Sequence, residues 1–392
     1  MTAASFLAGP ARADTAPPPF PSTPVMGYNT WYQFRDTYLT EAAVLKQAQL
    51  LVSTGLAAAG YNTVNLDDGW MASKRTANGE GTLTWNTAKF PDGIPYLAAQ
   101  LHAMGLHLGI YTAIGTRTCR GYLGSWSRYT QDSKAFASWG VDFVKVDQCG
   151  GLPSWMTFPL LTGEYQSFNT ALKAAGIKVY SEELPVYAFN TPNFISAVSA
   201  SSKFSNMWRV APDENISQSA SSTILGHLAA DWHLHAFAGP GHWNDLDMVL
   251  VGNQKAMPFD WTDPQEESQL SVWAMEASPL LISSDLSTLS AREIADLTNP
   301  HMLAIDKAGQ AATAVTVGHI EAVIKHDPEG GMAVLLVNLG SGTGSAKFTL
   351  AQLGISAATV HGFNVWAGTT TGAASAVATT LPAGGTVLYR FY

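Results

Sequence analysis

Between about residues 24 and 286 the chain alternates short apolar runs with longer segments of helical period. The runs are rich in β-branched and aromatic residues, and the pattern predicts strands ending near Thr30, Leu66, Tyr111, Val146, Ser181, Trp208, Trp243 and Ile282. The intervening segments carry helix punctuation: 40–54 opens on Thr40 with Glu41 in its first turn, and 129–140 closes on Gly140. Strand and helix in strict alternation make parallel βα units, and eight of them closing on themselves give an α/β fold, the (β/α)8 TIM barrel. From about Asn299 the pattern changes to alternating runs over 321–325, 332–338 and 386–391, separated by Gly- and Thr-rich turns. That reads as a small C-terminal antiparallel β-sandwich. The expected organisation is a lead-in over 1–23, a barrel over 24–299 and a sandwich over 300–392.

The polar exceptions inside the apolar strands carry the chemistry. In Phe143-Val-Lys-Val-Asp-Gln-Cys149 every second residue faces one side, so Lys145, Asp147 and Cys149 share a face. A Lys–Asp pair at the surface is the plain reading. The alternative is an Asp nucleophile kept ionised by a nearby Lys at the mouth of a pocket. Acids recur at other strand ends: Asp67 and Asp68, Glu182 and Glu183, Asp213, then Asp245 and Asp247. Barrel chemistry sits at those ends. Each acid alone would be a solvated charge or a helix cap, but together with Trp31, Tyr111 and Trp208 they describe a sugar pocket. Carboxylates accept hydroxyl protons there, and aromatic faces cover sugar C–H groups.

Composition narrows the partners. Charged residues are only 13% of the 392, the net charge is −9, and no Lys/Arg cluster exists to neutralise phosphates, so nucleic acid is excluded as a partner. No run of about 18 apolar residues spans a membrane. A short apolar piece followed by Ala11-Arg12-Ala13 looks like a secretory cleavage site, and 14–24 is a Pro-rich lead-in, so a secreted protein is expected. The two cysteines, Cys119 and Cys149, suffice for one bridge and lack metal-ligand spacing. No metal and no organic cofactor are expected.

Gly27-Tyr-Asn-Thr-Trp31, Tyr61-Asn-Thr-Val-Asn-Leu-Asp-Asp-Gly-Trp70, Lys89-Phe-Pro91, Leu108-Gly-Ile-Tyr111 with Thr118-Cys119, 139–149, Trp208-Arg209 and Gly239-Pro-Gly-His-Trp-Asn-Asp-Leu-Asp-Met248 together resemble glycoside hydrolase family 27, the melibiase-like α-galactosidases. The resemblance runs from residue 27 to about 286 and continues more weakly in the tail. It implies a retaining exo-glycosidase acting on an α-galactoside oligo- or polysaccharide, with Asp147 as nucleophile and Asp213 as general acid/base. It further implies that Asp67 and Asp68 grip O4 and O6 of a galactosyl ring, that Lys145, Arg209 and Asp247 take other hydroxyls, that Trp31 and Tyr111 shape the pocket, and that Cys119 and Cys149 are bridged beside it. Glu183 and Val186 fill room that N-acetylgalactosaminidases of this group leave open for an acetamide.

Two places depart from the family's pattern. Pro212-Asp213-Glu214 stands where Gly-Asp-Ile is usual, which makes Glu214 a rival acid, and Glu182-Glu183-Leu184-Pro185 stands for Cys-Glu-Trp-Pro. A relative acting on α-1,6-glucans or β-L-arabinopyranosides is therefore the near alternative. The distant ones are a Schiff-base aldolase using Lys145, which the adjacent Asp147 opposes, and a non-catalytic sugar-binding module.

Overall fold

The computed structural model describes residues 23–77, 81–214, 220–231, 234–252, 261–309 and 312–392. The expected leader, with all but the end of the lead-in, lies outside them. Eight strands form one parallel sheet: β1 (Met26–Asn29), β2 (Thr63–Leu66), β3 (His107–Ala113), β4 (Phe143–Asp147), β5 (Val179–Glu182), β6 (Met207–Arg209), β7 (Trp243–Asp245) and β8 (Leu280–Ile282). Strands β1 to β7 pair in chain order and β8 returns to the free side of β1. Val249, just past β7, closes the cylinder by a parallel bridge to Ile282, donating its N–H to Leu281 O at 2.8 Å and accepting from Ser283 N at 3.0 Å. The strands end within two residues of the positions expected from sequence. The helix Glu41–Ser53 starts as its sequence implies, Thr40 Oγ1 accepting the Ala43 N–H.

Inside the cylinder the chemistry changes with height. Val25, Phe143, Val179, Met207, Trp243 and Leu281 form an apolar floor. Two residues further along β4 and β6 the same face carries Lys145 and Arg209, because side chains on one face recur with period two. The interior is also crowded. A Cβ on Gly27 would lie 2.1 Å from the Thr63 carbonyl oxygen, and one on Gly109 would lie 2.6 Å from Asn65 Oδ1.

The tail forms β9 (Thr313–Val317), β10 (Ile320–His326), β11 (Met332–Asn338), β12 (Gly344–Thr349), β13 (Gly362–Asn364), β14 (Thr369–Thr370), β15 (Ala376–Leu381) and β16 (Thr386–Phe391). Six of these make an antiparallel sheet ordered β14-β13-β16-β11-β10-β9, and β12 pairs with β15. Ile320, Val334, Leu336, Phe348 and Phe391 pack a separate core in this part of the chain. The helix Asp263–Glu276 lies between the two parts and is buried from Ser268 to Glu276. On one side Trp366 Nε1 donates to Ser271 Oγ at 2.8 Å, and Lys325 Nζ donates to the Ala274 carbonyl at 3.0 Å. On the other side Trp273 Nε1 donates to the Asp247 carbonyl at 2.9 Å, at the barrel mouth.

Gly27→Ala forces β1 and β2 apart at the most crowded point of the wall. Its expected cost is at least about 3 kcal/mol, the upper part of the usual range for overpacking, read as a lower urea midpoint. An unchanged midpoint would show that the wall yields at no cost.

Candidate active site

The C-terminal ends of the strands bring together most of the residues singled out from sequence. Trp31, Tyr32, Asp67, Asp68, Tyr111, Cys119, Lys145, Asp147, Glu183, Arg209, Asp213, Asp247 and Met248 line one pocket. Several of the singled-out groups face elsewhere. Trp208 and Glu182 are fully buried on the opposite face of their strands, because each alternates with a pocket residue, Arg209 or Glu183. Trp208 Nε1 donates to Asn244 Oδ1 at 2.8 Å, and Glu182 accepts from Leu184 N at 2.6 Å, its carboxyl pushed up to about 7 by burial. The expectation that Trp208 forms part of the pocket wall is thus corrected. Asp245 sits one layer below Asp247 and accepts its N–H at 2.9 Å.

Asp147 ends β4 and is surrounded by donors. Tyr111 Oη and Tyr187 Oη each donate at 2.8 Å, one to either carboxylate oxygen, and Gln148 N donates at 2.6 Å. Cys119 and Cys149 are bridged, with Cα atoms 4.8 Å apart. The bridged Cys119 sulfur, which has no proton to give, touches Asp147 Oδ2 at 3.0 Å. With free thiols at Cys119 and Cys149, those two residues and Asp147 would resemble a metal site, but the bridge leaves no thiolate ligand.

Two cations knit the acids together. Lys145 Nζ lies 3.1 Å from both Asp67 Oδ2 and Glu183 Oε1. Burial works against its charge, yet Asp67, Glu183 and Asp147 outweigh burial and hold the ammonium well above its ordinary range. Arg209 reaches Asp247 at 3.0 Å, Asp213 at 3.1 Å and Glu183 at 3.6 Å. Asp67 also accepts from Asn29 Nδ2 at 3.0 Å, and its own N–H is held by Thr30 Oγ1 at 2.9 Å. Asp68 takes the Arg120 N–H at 2.9 Å, but burial still raises its carboxyl to about 7, so it can donate as well as accept near neutral pH.

Asp247 has φ 91°, a left-handed backbone that non-glycine residues seldom adopt. Its surroundings over-determine it: besides Arg209 it accepts from Tyr32 Oη and Glu214 N, each at 2.9 Å, and its carbonyl is held by Trp273. The two candidate acids separate clearly. Asp213 lines the pocket with its side chain 75% exposed, while Glu214 is buried behind it, accepting from Gln269 Nε2 at 2.8 Å. Burial and Asp247 keep the Glu214 carboxyl well above the usual range. Protein crowding around Asp213 favours its neutral form, but Arg209 and Lys145 prevail and hold its carboxyl below the usual range.

Sequence reasoning missed Tyr187, Tyr32 and Asn29. Asn29 had a visible signal, a polar residue ending an apolar strand; Tyr187 reaches Asp147 from the short helix Leu184–Tyr187, which no period revealed.

The sequence profile of the family described as alpha galactosidase A matches residues 23–308. The chain belongs to this family, glycoside hydrolase family 27. A second profile, described as the alpha galactosidase C-terminal beta sandwich domain, matches residues 317–391. A probable α-galactosidase A of Aspergillus clavatus is 32% identical over 94% of this chain and 71% of its own length. Human α-galactosidase A is 35% identical over 73% of this chain and 66% of its own. The family-27 chain thus spans about two thirds of these relatives. Among solved structures, α-galactosidase I from Mortierella vinacea superposes with TM-score 0.82 at 26% identity, covering 94% of this chain and 97% of that one.

The contrast between the two Arg209 partners is testable by chemical denaturation. Asp247→Ala strips a buried cation and two buried donors of their acceptor and is expected to cost roughly 3–5 kcal/mol. Asp213→Ala, at the open edge, should cost under about 1 kcal/mol. Equal losses would contradict this division.

Proposed function

We propose that the chain removes terminal α-D-galactosyl units by double displacement, with Asp147 as nucleophile and Asp213 as general acid/base. The reading rests on one observation: a sheltered carboxylate, accepting from Tyr111, Tyr187 and Gln148 N, shares a pocket with a carboxyl at the open edge. Asp147 attacks the anomeric carbon while Asp213 gives its proton to the departing glycosidic oxygen. Asp213 then takes a proton from water, which hydrolyses the galactosyl ester and frees Asp147. Asp67, Asp68, Lys145, Glu183, Arg209 and Asp247 hold the ring hydroxyls, and Trp31 and Tyr111 shape the walls. Glu214 holds a proton more readily, but it points at Gln269 rather than the pocket, and geometry precedes pKa in choosing an acid. An ammonium held firmly charged at Lys145 speaks against a Schiff-base reading, which needs the free amine.

The names of the relatives support galactose, and the chemistry of the pocket supports a hexose with polar groups at every position. We further propose two units, a catalytic barrel over 24–299 and a β-sandwich over 300–392. We also propose that the protein is exported, which suits its disulfide. Among the described residues no helix is long and apolar enough to cross a membrane.

In the resting pocket Arg209 draws the proton off Asp213. A sugar that engages Arg209 weakens that pair and restores the proton. The basic limb of kcat, which reports the substrate complex, should therefore lie at least about one pH unit above that of kcat/KM, which reports the free enzyme. Coincident limbs would dismiss this coupling.

Asp213→Ala should lose activity on poor leaving groups, spare the first step on activated aryl galactosides and recover turnover with azide. The first product by NMR should be the α-anomer. A nitrophenyl α-D-galactoside should be preferred over its N-acetyl analogue, the α-glucoside and the β-L-arabinopyranoside by roughly ten-fold or more. Rescue of Glu214→Ala in place of Asp213→Ala, a β-anomer, or preference for another sugar would each overturn its part of the proposal.

A further inference from the structure

The barrel carries a second cleft on its flank, between the hairpin that Met71 and Trp85 close by an antiparallel bridge and the helix Tyr129–Ser138. It measures about 580 Å³ and is lined by Trp85 and Trp139 together with Thr84, Gln131, Ser138 and Lys134, among others. None of its lining residues belongs to the pocket around Asp147. The two indoles are half-buried and meet edge to face, with centroids 5.4 Å apart at 84°. Trp85 lies against Gly93, where a Cβ would come within 2.6 Å of the ring, so its position is fixed by close contact with the backbone. Among the described residues neither indole N–H has a hydrogen-bond partner.

The lining states what the cleft can hold. Among the described residues Lys134 is its one charged lining residue, so it is poorly suited to phosphates or polyanions, which need several cations. Threonine and serine hydroxyls and a glutamine amide surround it, which an apolar ligand would leave unpaired. Flat aromatic surface with a negative face, ringed by neutral donors and acceptors, matches the polarised C–H face and hydroxyl edge of a pyranose. The cleft also connects to the reaction centre. Trp139 packs edge to face on Trp70 at 6.0 Å, and Trp70 Nε1 donates to the carbonyl of Tyr111 at 2.8 Å, the residue whose hydroxyl holds Asp147.

We propose that this cleft is a second carbohydrate-binding site, taking neutral pyranosyl units of the polysaccharide whose terminal galactose enters the barrel mouth. It rests on the proposed activity only for the identity of that polymer. It adds a hold outside the pocket, which raises the local concentration of branch ends without touching the reacting atoms.

Affinity electrophoresis of the full-length Asp147→Asn chain tests this, because the polymer in the gel then stays intact. The probes are a β-mannan bearing α-1,6-galactosyl branches, bare β-mannan and dextran, each with excess free galactose to occupy the barrel mouth. Retardation by at least one mannan is expected, weakened roughly five-fold or more by Trp85→Ala. Ser138→Tyr, at an exposed position, should fill the cleft and weaken retardation similarly even if loss of the Trp85 ring disturbs packing. With Asp147 restored, both changes should leave aryl α-galactoside turnover within about two-fold of the parent. Equal retardation of parent and variants, or none of the parent, would overturn the second site whatever the turnover shows. Retardation that depends on Trp85 in a chain that does not turn over the aryl galactoside would instead sink the proposed activity and leave the cleft standing.

Discussion

Two buried cations hold together a ring of carboxylates that would otherwise repel one another at the barrel mouth. Lys145 joins Asp67 to Glu183, and Arg209 joins Glu183 to Asp247 and Asp213. Taking either cation away would leave several acids uncompensated in a poorly solvated place, where each resists ionisation. The strands themselves come from apolar pattern and βα alternation. The placement of Asp67, Glu183, Asp247 and Asp213 around the pocket comes from this alternating set of charges.

The same network divides labour by depth. Its buried members are held by fixed partners, and Asp247 accepts a strained backbone because its neighbours hold it on several sides. Asp213 alone stands largely in solvent, on a segment past β6. A group that must exchange protons with water and with a leaving oxygen is well served by that exposure, and groups that must hold a ring in one pose are well served by rigidity.

The strands, the change of pattern before the sandwich and the cluster of rim acids were legible because each is a local signal. Period two within β4 alone put Lys145 and Asp147 on one face. Facing was lost where a strand end carries two candidates in a row: Glu182 and Glu183 are adjacent acids, and only the register against β4 and β6 shows that Glu183 turns inward. Trp208 was assigned to the pocket for its aromaticity, but alternation with Arg209 turns it out. Closure through Val249 and the reach of Tyr187 to Asp147 depend on contacts distant in sequence, which carry no periodic trace.

The helix Asp263–Glu276 gives the C-terminal sheet a part in the life of the barrel. Its last turn delivers the chain into β8, which completes the cylinder against β1, yet its terminal carbonyls are satisfied by Lys325 from β10. The two parts are therefore poor candidates for free exchange between homologues: a grafted sandwich without a cation at that place would strip the final helical turn of the donor to its Met275 carbonyl. Lineages that reshuffle domains should inherit this pair as one block, with the seam falling elsewhere.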